Sequence, residues 1–307
     1  MSAGSCHGRV VVITGAGNGI GRAHALAFAA QGARVVVNDL GGARDGGGAS
    51  AGPARAVADE ITAAGGDAVA NTDDISSWSG AERLIGQAVG AFGGLDVVVN
   101  NAGILRDRMI ATMTEQDWDA VLGVHLKGSV AVLHHAAAYW RQRAKDGQPS
   151  EARVINTTSP SGLFGNPGQG NYGAAKAGIA SLTIIAAAEL GRYGVTVNAI
   201  APTALTRMTE DIEMMRTAAA STDLSPEAIS PLVVWLGSTA SREVTGRVFG
   251  VWGNAITVLE GWVNGPSVSR DTRWDPAGLS EVVPGLVAKA APNATPLGTR
   301  PEGLGFS

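Results

Sequence analysis

The chain contains a single cysteine, Cys6, among its 307 residues. One thiol permits neither an intramolecular disulfide nor a cluster of cysteine metal ligands. Runs of basic residues are also missing, and the net charge of −4 goes with an isoelectric point near 5.7. The sequence therefore gives no indication of a nucleic-acid partner or of an anionic membrane surface as a binding partner.

Long hydrophobic segments are absent as well. No stretch approaches the roughly 20 consecutive apolar residues that are needed to span a bilayer. Residues 1–9 have no apolar core of the signal-peptide type, and residues 304–307 do not carry a peroxisomal address. We expect a cytoplasmic protein that does not associate with membranes.

What the sequence does contain is a regular alternation of predicted strands and helices. With 307 residues and 45% hydrophobic content, it predicts one large α/β domain with a well-filled core. Strands are predicted at 9–14, 33–38, 67–71, 95–99, 152–157, 195–200 and 247–252. Helices are predicted at 19–31, 53–64, 79–92, 115–144, 171–192 and 225–237. This order is typical of a Rossmann-type doubly wound parallel sheet, here of about seven strands.

Two stretches interrupt the alternation. Residues 41–52 are rich in glycine and predict a surface loop after the second strand. Residues 261–307 combine repeated proline and glycine with little periodicity. We therefore expect residues 1–260 to form the domain, and residues 261–307 to form an irregular arm that packs on it or on a neighbouring subunit.

The first strand leads directly into a glycine-rich turn, Thr14-Gly-Ala-Gly-Asn-Gly-Ile-Gly21, and a helix follows. Glycines permit a tight turn and close approach of the backbone to a pyrophosphate, while the helix N-terminus supplies amide donors. This context predicts a dinucleotide site. The alternative is an ordinary turn that closes a strand–helix unit.

An acidic residue, Asp39, ends the second strand 18 residues after Gly21. A carboxylate at this place can accept hydrogen bonds from the adenosine ribose and would repel a 2′-phosphate. NAD is therefore the expected cofactor rather than NADP. Two nearby basic residues, Arg22 and Arg44, argue in the opposite direction.

Tyr172 and Lys176 lie four residues apart, and Ser159 lies thirteen residues before the tyrosine. At a spacing of four, both side chains lie on one helix face. An ammonium group beside a phenol lowers a phenol pKa that is otherwise near 10, which would make the tyrosine a proton-transfer group. This spacing occurs by chance in many helices, and it indicates a catalytic pair only because the chain also contains the glycine turn.

Taken together, these motifs resemble the short-chain dehydrogenase/reductase family over about residues 9–253. The resemblance implies a secondary-alcohol dehydrogenase in which Tyr172 moves a proton, Lys176 holds the phenolate and Ser159 polarises the substrate oxygen. Ser161 is a competing serine, and both serines could instead cap a loop. The resemblance further implies cofactor contacts from Gly15, Asn18, Gly19, Ile20, Asp39, Asp74, Ile75, Asn101, Ala102, Gly103, Tyr172, Lys176, Pro202 and Thr203. Thr203 departs from the family pattern, which has glycine there.

His125 stands where many family members have an asparagine that supports a water relay from the lysine. A histidine at this position could preserve a helix distortion or join the proton relay as a catalytic residue. A hydrogen-bonded structural imidazole is the alternative. The other histidines have no spaced carboxylate or cysteine partners, and we expect no metal site.

The segments around Asp39, Arg106, His125 and Tyr172 are most similar to the dehydrogenase part of peroxisomal multifunctional enzyme type 2 and its actinobacterial relatives. This resemblance implies a lipid-derived substrate, either a (3R)-hydroxyacyl-CoA or a 17β-hydroxysteroid. It also implies a homotetramer or homodimer.

Residues 203–225 occupy the place of a mobile substrate lid in the family. Met208, Ile212, Met214 and Met215 make this segment apolar and adaptable, although they could equally pack a helix onto the core. Trp252 and Trp262 could line a pocket or a subunit interface.

Three functions therefore remain open on the sequence. The first is an NAD-dependent hydroxyacyl-CoA or hydroxysteroid dehydrogenase. The second is an NADPH-dependent 3-oxoacyl-thioester reductase, against which Asp39 argues. The third is a non-catalytic dinucleotide-binding regulator, against which the set of Ser159, Tyr172 and Lys176 argues.

Overall fold

Short runs that are mostly rich in valine form the strands of one sheet, and in most of these strands the β-branched residues are buried on both sheet faces. A computed structural model describes residues 4–148, 150–206, 213–296 and 298–299. Within these residues the sheet has eight strands in the order β3-β2-β1-β4-β5-β6-β7-β8. The strands are β1 (Val10–Thr14), β2 (Arg34–Asn38), β3 (Asp67–Asn71), β4 (Val97–Asn100), β5 (Ala152–Thr157), β6 (Val195–Thr203), β7 (Val248–Trp252) and β8 (Ala255–Leu259).

Helices cover both faces of this sheet. They are α1 (Gly19–Ala30), α2 (Gly52–Ala63), α3 (Trp78–Phe92), α4 (Glu115–Leu122), α5 (Gly128–Lys145), α6 (Pro160–Phe164), α7 (Gly170–Leu190), α8 (Glu213–Ala219), α9 (Ser230–Gly237) and α10 (Pro276–Lys289). Helices α1, α2 and α9 bury their apolar side chains on one face, and α3, α5 and α7 bury theirs on the other. The result is a layered doubly wound fold.

Alternate residues of each strand supply the two cores. Val11 and Ile13 of β1 pack with Phe28 on one side of the sheet, whereas Val10 and Val12 pack with the other core cluster. This alternation is the two-residue period of a strand. A sheet buried on both faces holds its strand ends in fixed relative positions, and those ends carry the functional residues.

The order of the strands reverses between β1 and β4, which are parallel neighbours. In open parallel sheets, ligands bind in the crevice at the carboxyl ends of the strands, where this reversal occurs. The turns after β1, β2, β4, β5 and β6 all lie along this edge because these strands are parallel. The topology therefore brings distant parts of the chain to one crevice.

Several features differ from the sequence-based prediction. The parallel sheet was predicted correctly, but an eighth strand, β8, pairs antiparallel with β7. The long helix predicted over 115–144 is interrupted by a π-helical turn at Gly123–Lys127. Residues 226–237 begin with a 3₁₀ turn, Pro226–Ile229, before α9.

The chain divides into two compact units, Met1–Leu259 and Glu260–Ser307. The second unit is not wholly irregular, because it contains the fourteen-residue helix α10. Asp275 caps this helix by accepting a hydrogen bond from the Gly278 amide, and Pro276 occupies its first position. Both are strong start signals for a helix, but the internal Pro284 hides the helical pattern.

Among the described residues, one helical segment, Gly170–Tyr193, is long and apolar enough by composition to cross a membrane. It does not contain a long run of consecutive apolar residues, because polar residues, among them Asn171 and Lys176, interrupt the apolar ones. Its buried side chains pack into the core under the sheet, as core helices of α/β domains do.

Candidate active site

The turn between β1 and α1 forms a cradle in which several positions require glycine. Gly15 and Gly19 have φ angles of +63° and +52°, in the left-handed region that favours glycine. A Cβ atom on Gly15 would lie 2.7 Å from the Ala102 Cα, and one on Gly21 would collide with the Gly15 carbonyl. The glycines thus let the backbone approach the turn after β4 closely.

Helix α1 starts at this cradle with its first amides free of a side-chain cap. Asn18 is the N-cap residue in extended conformation, its side chain makes no capping hydrogen bond, and the first turn contains no acidic residue. Ile20 packs against the core and anchors the turn. Uncapped amides and the positive end of the helix dipole attract an anion. Cradle and helix end therefore fit the pyrophosphate of a dinucleotide.

Asp39 follows β2 and closes the cradle from the side. Its carboxylate accepts hydrogen bonds from the Gly17 amide at 2.8 Å and the Gly41 amide at 2.7 Å. Arg22, one of the two basic residues near the loop, forms an ion pair in which its Nη2 donates to both carboxylate oxygens of Glu60. The negative charge of Asp39 is therefore fixed beside the glycine turn.

The turn after β4 is bonded directly to the turn after β1. The Asn101 amide nitrogen Nδ2 donates to the carbonyls of Thr14 and Gly15, both at 3.1 Å. The Thr14 hydroxyl accepts from the backbone amides of Asn101 and Ala102 at 3.0 and 3.1 Å. The sequence reading missed this role of Thr14, for which its place at the end of β1 was the available signal.

Two predicted cofactor residues follow β3. Asp74 is exposed, and its carboxylate accepts a hydrogen bond from the Ser76 amide at 2.9 Å. Ile75 is buried, and its Cδ1 lies 2.7 Å from where a Cβ on Gly128 would be. Both lie at the ligand edge of the sheet, two strands from β1.

Pro202 and Thr203 lie at the end of β6, which extends to residue 203 rather than ending at residue 200. They pair with Val251 and Trp252 of β7. The threonine that replaces the family glycine therefore has extended strand backbone, which suits a β-branched residue. Thr206, three residues further on, lies 3.9 Å from the Cβ position of Gly19.

Ser159, Tyr172 and Lys176 come together where β5 ends and α7 begins. Ser159 is the N-cap residue of α6, and its Oγ accepts a hydrogen bond from the Ser161 amide at 3.2 Å. Hydrogen bonding with the Ser159 side chain acts to lower the pKa of the half-buried Tyr172. The competing serine, Ser161, thus contributes its backbone amide to the position of Ser159.

Lys176 is buried beneath the tyrosine. Its Nζ donates to the Thr157 carbonyl at 2.6 Å and lies 5.6 Å from the centroid of the Tyr172 ring. The Thr158 hydroxyl donates to the Lys176 carbonyl at 2.6 Å. The lysine is therefore anchored to the end of β5 at both its backbone and its side chain.

The electrostatics of this pair differ from the sequence-based expectation. Burial raises the pKa of the Tyr172 phenol, and the hydrogen bond with Ser159 opposes this effect. The sequence had predicted a lowered phenol pKa. Burial also lowers the pKa of Lys176 from 10.5 to about 7. Desolvation disfavours the charged form of each group. At Tyr172 this effect of burial on the pKa is larger than the lowering expected from the lysine ammonium.

His125 occupies the middle of the π-helical turn and is buried. Its Nε2 lies 3.0 Å from the Ile104 amide nitrogen and 2.8 Å from the Ile104 carbonyl oxygen, while its buried Nδ1 has no partner among the described residues. Gly103 is required beside it, because a Cβ there would collide with the imidazole. Burial, together with the charge of Lys176, lowers the pKa of His125 to about 3.

The other residues suggested for a substrate pocket are only partly described. Met208 and Ile212 lie outside the described residues, and the side chains of Met214 and Met215 in α8 are likewise outside them. Trp252 is half-buried in β7, and Trp262 belongs to the second unit. No group of three metal-ligating side chains occurs in the described part of the chain.

A model of the short chain dehydrogenase family matches residues 9–217. Hydroxyacyl-CoA dehydrogenase ChsB1 of Mycobacterium tuberculosis is 47% identical over 287 residues, which cover 89% of this chain and 86% of that protein. A crystal structure of a short chain dehydrogenase from Mycobacterium avium superposes with a TM-score of 0.86 at 57% identity. The match covers 95% of this chain and 99% of that one.

More distant relatives differ in name and length. Peroxisomal multifunctional enzyme type 2 of Mus musculus is 45% identical over 239 residues, 78% of this chain but only 31% of that protein. A 3-oxoacyl-[acyl-carrier-protein] reductase of Synechocystis is 38% identical over 81% of this chain and 97% of its own length.

Proposed function

The chain belongs to the short-chain dehydrogenase family, and from this premise we propose that it interconverts a secondary alcohol and a ketone with NAD. The observation that carries the proposal is the meeting of Ser159, Tyr172 and Lys176 at the same edge of the sheet as the glycine cradle. A proton-transfer group, its cationic partner and a hydroxyl donor at one place are what alcohol oxidation needs.

Each residue has a role in this proposal. The Tyr172 phenolate takes the proton from the alcohol oxygen, and in the reverse direction the phenol returns it to the carbonyl. Ser159 donates a hydrogen bond to the substrate oxygen where negative charge develops. Lys176, whose pKa is about 7, stabilises the phenolate when it carries its proton. Bound NAD would supply the acceptor for the hydride of the carbinol carbon.

The cofactor would lie on the cradle, with its pyrophosphate at Gly15, Gly19 and the start of α1. Asp39 supports NAD over NADP, because its carboxylate is already held beside the cradle by the amides of Gly17 and Gly41. A 2′-phosphate at this place would meet a fixed negative charge. The ion pair of Arg22 with Glu60 reduces what that arginine can offer to such a phosphate.

The substrate we propose is a (3R)-hydroxyacyl-CoA, with a 17β-hydroxysteroid as the other candidate. The name of the ChsB1 relative supports the acyl-CoA. An open cavity of about 330 Å³ with a mostly apolar lining lies near the start of α7. It is lined by Ile110, Met113, Thr114, Glu115, Trp118 and Gly170. Gly170 lies two residues before Tyr172.

The proposal is tested by following NADH formation with (3R)-hydroxyacyl-CoAs and 17β-hydroxysteroids side by side. Tyr172→Phe serves as the matched variant, since it removes only the hydroxyl. We expect turnover with the acyl-CoAs, a loss of at least about 100-fold in Tyr172→Phe, and unchanged NAD binding. Near wild-type activity in Tyr172→Phe would refute the proposed mechanism. Absence of turnover with both substrate classes would refute the proposed substrate assignment.

A second candidate function is the reduction of a 3-oxoacyl thioester with NADPH, which the relative from Synechocystis supports. Asp39 opposes it, for the charge reason already given. Measuring kcat/KM with NADH and NADPH in the reductive direction decides between the two. A preference for NADPH would favour the reductase. The dehydrogenase names of the relatives argue against a non-catalytic regulator.

We further propose a homodimer or homotetramer in the cytoplasm. The exposed residues Ile184 and Ile185 on α7 support association through that helix. Light scattering coupled to size-exclusion chromatography measures the assembly, and a monomer at micromolar concentration would contradict it.

A further inference from the structure

Asn171, the residue directly before Tyr172, is completely buried at the second position of α7. Its Nδ2 donates to the Arg106 carbonyl at 3.0 Å and to the Asp117 carbonyl at 3.1 Å. Its Oδ1 accepts from the Tyr172 backbone amide at 2.8 Å. One carboxamide thus joins three segments of the backbone: the turn after β4, helix α4 and the start of α7.

The bond to the Tyr172 amide acts as a helix cap. The first amides of a helix have no partner within the helix, and the N-cap residue of α7, Gln169, provides no side-chain hydrogen bond. Asn171 supplies the missing acceptor from inside the first turn. The backbone from which the tyrosine ring projects is therefore fixed by a side chain and not by the helix alone.

The segment that Asn171 holds is itself anchored on the far side. The Arg106 side chain donates to the Asp45 carbonyl at 2.8 Å, and the Leu105 amide donates to the Arg44 carbonyl at 3.0 Å. The Ile104 backbone lies within hydrogen-bond distance of the His125 Nε2. Asn171 therefore ties the tyrosine to a segment that is attached to the loop after β2 and to the π-helical turn.

We propose that Asn171 is a positioning residue that sets the place of the Tyr172 phenol relative to the substrate carbon and the cofactor. The inference rests on the proposed function, in which Tyr172 moves the proton. A displacement of about 1 Å in a reacting group can lower a rate by about 100-fold. Asn171 itself contacts no reacting atom in this scheme, since its polar atoms are used on the backbone.

Two variants separate its interactions. Asn171→Ala removes all three hydrogen bonds. Asn171→Asp keeps the volume and the acceptor for the Tyr172 amide but removes both donors. The matched control is Asn198→Ala, because Asn198 is also buried and also bridges backbone, from the Val244 carbonyl to the Arg247 amide. It lies within β6, outside the proposed catalytic set.

We expect kcat for alcohol oxidation to fall by about 10- to 100-fold in both Asn171 variants, with a much smaller change in the KM for NAD. Asn198→Ala should lose stability but keep kcat. Folding is checked by circular dichroism and urea unfolding. Wild-type kcat in the folded Asn171 variants would overturn the proposal. So would failure of both to fold, since Asn171 would then be a structural residue.

A second readout does not depend on turnover. The chain has only three tyrosines, so ¹³Cζ-tyrosine labelling gives three NMR signals, and Tyr172→Phe identifies the one of interest. We expect this signal and its titration midpoint to shift in the Asn171 variants and not in Asn198→Ala. An unchanged signal would overturn the proposal. A wild-type enzyme that oxidises no alcohol would instead refute the proposed function and leave the NMR comparison to decide on Asn171.

Discussion

The imidazole of His125 lies edge-on to the phenol ring of Tyr172, with ring centroids 5.1 Å apart and ring planes at 87°. Edge-to-face contact is a favoured arrangement of aromatic rings. Because burial lowers the pKa of His125 to about 3, the imidazole is neutral across the physiological range. It therefore acts on the tyrosine through packing and through its bonds to Ile104, without carrying a charge.

Replacing His125 should separate these contributions. His125→Ala leaves a cavity and removes the imidazole nitrogen that pairs with an Ile104 backbone group, and we expect a loss of about 2–4 kcal/mol in the free energy of unfolding. His125→Asn keeps a polar partner for Ile104 and should lose less. Urea unfolding and kcat measure both effects. A step in the pH–rate profile between pH 4 and 6 that disappears only in the His125 variants would show instead that the imidazole titrates during turnover.

The raised pKa of the Tyr172 phenol predicts the pH dependence of the reaction. Alcohol oxidation needs the phenolate, whereas ketone reduction needs the phenol. We expect kcat/KM for oxidation to rise from pH 7 to pH 9 and kcat/KM for reduction not to rise, because burial favours the neutral phenol. Profiles in both directions check this. An oxidation rate that is independent of pH above 7 would contradict it.

Lys176 should make stability depend on pH. Between 7 and 10.5 the unfolded chain holds a proton on this lysine that the folded chain has released, because burial lowers the folded-state pKa to about 7. Its contribution to stability therefore falls as the pH drops from 10.5 to 7 and is constant below 7.

The variant Lys176→Met removes this effect. The difference in free energy of unfolding, variant minus wild type, should become more positive as the pH falls from 10 to 7. Urea unfolding at several pH values measures it, with the exposed Lys145→Met as a control for loss of a lysine. A difference that does not vary with pH would mean that the folded-state pKa of Lys176 is not lowered.

Asp39 should govern the choice of cofactor. Asp39→Asn removes the negative charge while keeping one oxygen that can accept from the Gly17 or Gly41 amide. We expect the ratio of kcat/KM for NAD over NADP to fall by about 10-fold or more, because the repulsion of a 2′-phosphate is lost. Steady-state rates with both cofactors give the ratio. An unchanged ratio would mean that residues other than Asp39 determine the choice between NAD and NADP.

The glycine cradle should tolerate no side chain. Gly15→Ala combines a φ of +63° with a Cβ position 2.7 Å from the Ala102 Cα. We expect weaker NAD binding and lower stability. Gly86→Ala is the matched control, because Gly86 lies in the exposed interior of α3 with open space around its Cβ position. That variant should gain about 0.5–1 kcal/mol. Calorimetry measures NAD binding, and urea unfolding measures stability. Normal NAD binding by Gly15→Ala would contradict the proposed binding of the cofactor at the cradle.

Much of this site was predictable because its motifs are local. The glycine turn, Asp39 and the Tyr172–Lys176 pair each depend on spacing within one strand–turn–helix unit, and parallel topology then brings the units to one edge. The π-helical turn at His125 illustrates the limit. The sequence allowed a distortion of this helix, but only the folded chain shows that the imidazole bonds Ile104 and packs on Tyr172.

The family and the doubly wound sheet follow from the sequence, since these depend on periodicity and short-range spacing. Tertiary structure alone decided which groups are desolvated. Burial raises the pKa of Tyr172, opposite to the expected shift, and lowers the pKa of Lys176 to about 7. It also decided that Asn171 and Thr14, whose side chains were given no role from the sequence, bond segments remote in sequence. Desolvation and such long-range bonds depend on how the layers pack, and no local pattern encodes them.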